Sequence, residues 1–218
     1  MGMKNFIRGW LLPPEITEAI SRLTQLGSTR TQNSAPPPEH STDAWALWRK
    51  SLSSAQNYLE YGSGASTEFV AKTYSCNIRS IETSPEWVQK VRTALGARAE
   101  VVHVDLGPVR EGGRPTGYTR AADFPKYFNA GFEGNFDPDV VLIDGRFRVS
   151  VFLAVIRNAR VGTQIIFDDY ADREKYHVVE QLVKPLEVGH RQALFVRPVA
   201  VNLELLESLE QRFSMVMD

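Results

Sequence analysis

The chain has 218 residues, of which 43% are hydrophobic, so it can bury one sizeable core and leaves little room for a second full domain. Its 25 basic and 26 acidic residues give a formal net charge of −1, which offers no general electrostatic attraction to nucleic acid. The only cysteine, Cys76, excludes an internal disulfide and a cysteine-based metal cluster. We therefore expect a small-molecule substrate and no nucleic-acid partner.

The amino-terminal residues combine basic and apolar side chains, as signal peptides do. Lys4 and Arg8 precede the apolar run 10–12, but Pro13 and Pro14 end that run far short of a signal core or a membrane span. We therefore predict no transmembrane segment and a cytoplasmic protein.

Composition changes near residue 40. Apolar residues recur at helical spacing between Pro14 and Gly27, which predicts a helix with one buried face. Residues 28–40 are rich in Ser, Thr, Gln, Asn and Pro, which is typical of an exposed linker. We predict an N-terminal helical arm with a Pro-rich linker at 1–40 and a main domain at 41–218. The arm would pack on that domain or on a second subunit, and in the latter case the protein would be a homodimer.

Short apolar runs alternate with segments of helical period from residue 57 onward. The run Val140–Ile143 lacks polar alternation, as expected for a strand with helices on both faces of its sheet. This alternation predicts an α/β fold with a doubly wound sheet. The predicted strands are 57–61, 77–82, 100–105, 139–144, 163–168 and 193–196. The predicted helices are one that begins near 41–43 and carries Trp45 and Trp48 over the sheet, followed by 66–75, 85–95, 147–159, 172–184 and 203–213.

One connection, residues 106–138, is too long to be only a turn. It contains six glycines together with several aromatic residues, and this aromatic content argues against full disorder. Ligands of open α/β sheets bind at the carboxyl ends of the strands, so an insertion after the third strand lies at the edge where it could cover a substrate. We predict a binding loop or lid.

The most informative motif follows the first strand. That strand ends in Glu60 and Tyr61 and opens through Gly62 and Gly64 into a helix, while the second strand ends in Glu82. Glycine removes the Cβ that would keep the backbone away from a ligand, and a carboxylate at the tip of the second strand can accept both hydroxyls of a ribose. The pattern predicts a pocket for an adenosine-containing cofactor. The predicted cofactor-binding residues are Glu60, Gly62, Ser63, Gly64, Ser66, Thr67, Glu82, Thr83 and Asp105.

Two departures from the dinucleotide-binding fingerprint indicate which cofactor is bound. The fingerprint has a third glycine where Thr67 stands, and Glu60 would repel a phosphate. Both departures favour S-adenosylmethionine, which has an amino-acid end and no phosphate. A nicotinamide-dependent oxidoreductase is the less favoured alternative.

The acid-x-Gly-x-Gly loop, followed by Glu82 after the second strand, resembles the first motifs of the class I S-adenosylmethionine-dependent methyltransferases. With the runs Asp144–Arg148 and Phe167–Tyr170, residues 55–198 are similar to a little-characterised bacterial group of methyltransferase-like proteins. The resemblance implies a Rossmann-like, mostly parallel sheet whose last hairpin adds an antiparallel strand. It also implies methyltransferase activity. A methyltransferase-like protein that keeps the fold only for binding is a second alternative.

Three carboxylates, Asp144, Asp168 and Asp169, follow the fourth and fifth predicted strands and should meet at the same sheet edge. There they are candidate catalytic residues, because one carboxylate could act as general base or the group could hold a Mg²⁺ ion that acidifies an acceptor hydroxyl. A strand-end aspartate followed by a paired acid resembles metal-dependent O-methyltransferases, and this resemblance implies a metal site at all three. The alternative is structural: Asp144 would bond the glycine loop, and Asp168 and Asp169 would cap the next helix.

Arg146, Arg148 and Tyr170 are the predicted substrate-binding residues. The two guanidinium groups could recognise a phosphate or carboxylate on the acceptor, or could pair with the neighbouring aspartates. The sequence as a whole predicts O-methylation of a small polar or sugar-like acceptor.

Overall fold

The computed structural model describes residues 43–218. The predicted arm and linker at 1–40 lie outside these described residues. The described part contains one seven-stranded sheet in the order β3-β2-β1-β4-β5-β7-β6. Its strands are β1 (Asn57–Tyr61), β2 (Asn77–Glu82), β3 (Glu100–His103), β4 (Val140–Ile143), β5 (Gln164–Phe167), β6 (Glu187–Val188) and β7 (Ala193–Val196).

The direction of the strands confirms the mixed sheet. Strands β1 to β5 are mutually parallel, whereas β7 runs antiparallel to β5 and β6 runs antiparallel to β7. The chain order reverses at β1, which has β2 on one side and β4 on the other. In sheets of this kind the reversal opens a crevice at the carboxyl ends of the central strands.

Six α-helices connect the strands of the described part. Their bounds are α1 (Ala46–Leu52), α2 (Ala65–Thr73), α3 (Pro85–Leu95), α4 (Phe124–Asn129), α5 (Arg148–Asn158) and α6 (Leu203–Phe213). Ser84 caps α3 by accepting from the N–H of Trp87, and Pro85 occupies the first turn, where no N–H is needed. None of the helices described here has the length and apolar character needed to cross a membrane.

Apolar clusters lie on both faces of the sheet, as the continuous hydrophobic strands require. On one face Trp45 and Trp48 are buried, and Trp48 donates from Nε1 to the hydroxyl of Tyr58 at 3.2 Å. The prediction that these tryptophans cover the sheet is therefore confirmed. Helix α5 is buried almost throughout on the other face.

The long insertion is more ordered than a lid. Its second half forms α4, and Phe124, Tyr127 and Phe128 of this helix pack against Phe147 in the core. Its first half, around Glu111–Gly113, and Tyr127 of α4 reach the open edge of the sheet.

The prediction of an α-helix at residues 172–184 is wrong. Residues Glu174–Gln181 form 3₁₀ turns instead. The two buried residues, Tyr176 and Val179, are three apart, which matches the three-residue repeat of a 3₁₀ helix and places both on one face. The strands β3, β4 and β5 are also one or two residues shorter than predicted, which leaves Asp105, Asp144 and Asp168 in the loops just beyond them.

Candidate active site

The floor of the site is a contact between two glycine loops. Gly62 follows β1 with φ +100°, and a Cβ built on it would lie 2.8 Å from the Cα of Gly145, which follows β4. A side chain is therefore excluded at Gly62, by conformation and by space. Gly64 differs, because a Cβ on Gly64 would meet nothing within 4 Å. The two loops therefore contact each other through backbone at Gly62 and Gly145, and the space next to Gly64 is open.

Glu60 orders the glycine loop from below. Its side chain is fully buried and accepts hydrogen bonds from the hydroxyls of Ser66, Thr67 (2.6 Å) and Ser80 (3.3 Å). Thr67 Oγ1 in turn accepts from the N–H of Gly64 at 2.9 Å. Burial raises the pKa of Glu60 to about 7, although the three hydroxyls act in the opposite direction. Glu60 and Thr67 hold the loop in shape and do not line the cavity above it.

Glu82 ends β2 and is anchored by backbone donors. Its Oε2 accepts from the N–H of Ser63 at 3.0 Å, and Oε1 accepts from the N–H groups of Thr83 and Ser84, both at 2.8 Å. The insertion meets it there, because the Thr83 hydroxyl donates to the carbonyl of Gly113 at 2.5 Å. The carboxylate is therefore held in one orientation at the rim of the cavity.

A cavity of about 440 Å³ opens above these loops, at the carboxyl ends of β1, β2 and β4. The residues that line it are Trp45, Gly62, Ser63, Gly64, Ala65, Ser66, Glu82, Thr83, Trp87, Glu111, Gly112, Tyr127, Asp144, Gly145, Arg146, Arg148 and Arg191. A neighbouring cavity of about 480 Å³ lies between the loops after β2 and β3 and shares Trp87, Glu111 and Gly112 with the first.

The structure brings most predicted site residues to the main cavity, but not all of them. Asp105 lies outside both cavities, where its side chain is exposed and pairs with Arg120 at 2.8 Å. Tyr170 is buried in the core and donates its hydroxyl to Glu180 at 2.8 Å. Asp168 and Asp169 stand behind the cavity wall, so that Asp144 alone of the three aspartates lines it.

Several lining residues were not predicted. Trp45 had been assigned only to the core, Tyr127 lies in the insertion, and Arg191 precedes β7. The guanidinium of Arg191 lies 5.0 Å from the ring centroid of Trp45. These residues are distant in sequence and carry no local motif, so only the strand order reveals that they meet.

The three aspartates meet at the sheet edge, as predicted: one carboxylate oxygen from each lies within 4.8 Å of the others. Asp168 and Asp169 do not cap the turns that follow, because the segment Glu174–Gln181 begins after Arg173 and has no side-chain cap, and Asp168 is paired with side chains of the β6–β7 hairpin. Both of its oxygens accept from Arg191, and Oδ1 also accepts from Gln192 at 3.1 Å. Asp169 accepts ion pairs from Arg191 and Arg173, each at 2.8 Å.

Arg148 lies among the same aspartates. Its Nη2 donates to Asp144 Oδ1 at 2.9 Å, and its Nη1 lies 3.3 Å from Asp169 Oδ2 and 4.0 Å from Asp168 Oδ2. It also donates to the carbonyls of Asp144 (2.9 Å), Gly145 (3.0 Å) and Asp168 (2.6 Å). One guanidinium thus ties the ends of β4 and β5 together.

The donor set does not fit Mg²⁺ in this arrangement. Mg²⁺ requires free carboxylate oxygens and keeps several waters. Here Asp168 is fully buried and its oxygens are engaged by Arg191, while Arg148 contacts all three acids. Asp144 has a raised pKa, caused first by burial and then by the charge of Asp168, with Arg148 opposing both.

No protein-family model and no curated protein matches this sequence. Among solved structures, the chain is similar to a methyltransferase-like protein from Silicibacter pomeroyi, with 33% identity and a TM-score of 0.70 over 85% of this chain and 98% of that one. It is less similar to an O-methyltransferase from Bacillus cereus in complex with S-adenosylhomocysteine, with 15% identity, a TM-score of 0.47 and coverage of 85% and 91%.

The open α/β sheet, with a cavity where the strand order reverses, defines a Rossmann-like ligand-binding protein. The similarity to the S. pomeroyi protein is more specific, because it extends over nearly all of that chain. This chain belongs to the class I S-adenosylmethionine-dependent methyltransferases. It is an S-adenosylmethionine-dependent methyltransferase, and the oxidoreductase alternative is not supported.

Proposed function

We propose that the enzyme transfers a methyl group from S-adenosylmethionine to an oxygen of a small polar or sugar-like acceptor. The observation that carries this proposal is the position of Asp144. It is a carboxylate with a raised pKa that lines the cavity directly after β4, next to the glycine contact on which the cofactor loop rests.

The cofactor end of the cavity suits an adenosine and an amino acid. Glu82 is oriented by three backbone N–H groups and offers its remaining lone pairs to ribose hydroxyls. The open space above Gly64 admits the ligand close to backbone. Ser63, Ser66 and Thr83 also line this end of the cavity, whereas Asp105 lines neither cavity, so its role in cofactor binding stays a prediction.

When bound, S-adenosylmethionine supplies a methyl group on a cationic sulfur. In the proposed reaction the acceptor oxygen forms the new O–C bond, the C–S bond breaks, and its electron pair stays on sulfur. Asp144 takes the acceptor proton, for which a raised pKa is favourable near neutral pH. No step requires a metal ion.

Arg146 is placed to hold the acceptor. Its Nε donates to the carbonyl of Gly112 at 2.6 Å, which links the insertion to the loop after β4, and within residues 43–218 it forms no ion pair with a carboxylate. Arg146 therefore offers donors to an oxygen-rich or anionic acceptor. The sequence predicts that Tyr170 binds the substrate. Its side chain is buried and does not line the cavity, so we assign it only to supporting the cavity wall.

Two measurements test the proposal. Calorimetry should detect S-adenosylhomocysteine binding and no binding of NAD. A screen of hydroxylated metabolites, in which the release of S-adenosylhomocysteine reports turnover, should then identify an acceptor. With that acceptor, Asp144→Asn should lower kcat by about 100-fold or more and leave S-adenosylhomocysteine affinity within about twofold.

Asp172→Asn is the matched control, because Asp172 is exposed and lies outside the cavity lining. It should retain full turnover. NAD binding without S-adenosylhomocysteine binding would contradict the proposal. Binding of S-adenosylhomocysteine without any acceptor turnover would favour the alternative of a binding protein that keeps the methyltransferase fold.

A further inference from the structure

We propose that Arg148 permanently occupies the place that a divalent cation would take among Asp144, Asp168 and Asp169, so that the enzyme works without a metal ion. The guanidinium lies within ion-pair distance of all three carboxylates, at 2.9, 4.0 and 3.3 Å respectively. Arg148 therefore already binds the three carboxylates that a metal ion at this site would need.

The position of Arg148 is fixed by the backbone as well as by charge. Its three hydrogen bonds to carbonyls at the ends of β4 and β5 use Nε and both Nη atoms. The residue also begins α5, where its own N–H donates to Asp218 Oδ1 at 2.9 Å. Its side chain is only 9% exposed. A guanidinium held in this way cannot swing out to admit an ion without breaking bonds to both strands.

The charge of the cluster is already balanced. Three carboxylates face the guanidinium groups of Arg148, Arg191 and Arg173, each of which has at least one ion pair with them. A divalent cation would add two positive charges to a neutral group in a poorly solvated place. Both repulsion from the arginines and loss of water oppose its entry.

Arg148 also has a role in catalysis, and this part of the inference rests on the proposed methyl transfer. The guanidinium lines the cavity beside Asp144. It supplies a fixed positive charge near the acceptor oxygen, where negative charge develops as the proton leaves. A metal ion provides the same stabilisation by coordination, but it can be removed by a chelator, whereas Arg148 cannot.

Mn²⁺ binding to the full chain tests the assignment, with the electron paramagnetic resonance signal of free Mn²⁺ as readout. The wild type should not reduce that signal. Arg148→Met, which keeps an unbranched side chain close in length to the aliphatic stem of arginine and removes the guanidinium, should bind one equivalent of Mn²⁺ at least about tenfold more tightly than the wild type. Adding Asp168→Asn to this variant should abolish the gain.

Arg173→Met is the matched control. It removes one charge from the same cluster, but within residues 43–218 Asp169 is the only one of the three aspartates with which Arg173 pairs, and its side chain is 45% exposed. Its Mn²⁺ titration should match the wild type. If Arg148→Met does not fold, as judged by circular dichroism, Arg148→Gln replaces it with the same expectation, because the amide also lacks the charge and keeps a donor for the carbonyls that Arg148 bonds.

Saturable Mn²⁺ binding by the wild type, lost in Asp168→Asn, would overturn the assignment. Failure of a folded Arg148→Met or Arg148→Gln variant to bind Mn²⁺ would overturn it too, because the carboxylates would then not be a cation site at all. S-adenosylhomocysteine calorimetry on the same samples reports separately on the proposed function.

Discussion

Glu60 and Glu82 end neighbouring strands and belong to the same sequence motif, yet their environments differ. Glu60 is completely buried and, within residues 43–218, its carboxylate accepts only from hydroxyls, whereas Glu82 lines the cavity and accepts from backbone N–H groups. The first residue therefore shapes the loop, and the second faces the cavity. The sequence motif identified both positions but not this division, which depends on where the side chains point.

Replacing Glu82 by Gln should weaken binding of S-adenosylhomocysteine by about 1–3 kcal/mol, because a neutral amide accepts ribose hydrogen bonds less strongly than a carboxylate. The amide nitrogen would also face a backbone N–H, so the free energy of unfolding should fall by about 1 kcal/mol. Calorimetry and urea unfolding measure the two effects. Glu207→Gln, on the exposed face of α6, is the control and should change neither. Unchanged affinity in the Glu82 variant would show that this carboxylate does not hold the cofactor.

At the scale of the elements, the loops after β1 and β4 carry the site because parallel neighbours end at the same edge. Their register puts Tyr61 opposite Ile143, so Gly62 and Asp144 start their loops side by side. The apolar runs of these strands were legible in the sequence, since strands buried on both faces show no polar alternation. The contact between Gly62 and Gly145 could not be predicted from the sequence, because it arises from the pairing of β1 with β4.

Gly62→Ala should lower the free energy of unfolding by about 2 kcal/mol or more. The added Cβ would meet backbone of Gly145 at 2.8 Å, and φ +100° is strained for alanine. Gly64→Ala is the internal control. Its φ of 171° is extended and its Cβ would meet nothing, so stability should change by less than about 1 kcal/mol, while the added methyl group should reduce cofactor affinity. Urea unfolding of both variants checks this; equal losses of stability would refute the proposed floor contact.

Elements that gain their form from tertiary packing were the least predictable. The turns at Glu174–Gln181 have a sequence that also suits an α-helix, because the buried residues Tyr176 and Val179, three apart, share a face in both helix types. In the insertion, the aromatic residues of α4 indicated order, but the sequence could not show that they pack in the core while Gly112 and Gly113 reach the site.

For the whole molecule, Glu60 should make stability depend on pH. Its pKa is raised from 4.5 to about 7 in the folded state, so the folded protein holds a proton that the unfolded chain releases between these values. Stability from this group is therefore complete below about pH 4.5 and is lost as pH rises through about 7. The loss is about 3 kcal/mol at most.

Urea unfolding of the wild type and Glu60→Gln between pH 4.5 and 8 measures this contribution. The difference in unfolding free energy between the two proteins should change across that range and become constant above it. Glu207→Gln should reproduce the wild-type curve. Parallel curves for the wild type and Glu60→Gln would mean that Glu60 titrates alike in the folded and unfolded states.

The glycine contact beneath the cavity has a consequence for how ligands influence each other. Gly62 and Gly145 touch through backbone, and neither loop can shift without pushing the other. In the proposed reaction the cofactor and the acceptor would rest on this shared base, while the Arg146–Gly112 hydrogen bond joins the insertion to the loop after β4. We expect coupling between the two ligands to depend on that hydrogen bond, and by reciprocity each ligand would change the binding free energy of the other by the same amount.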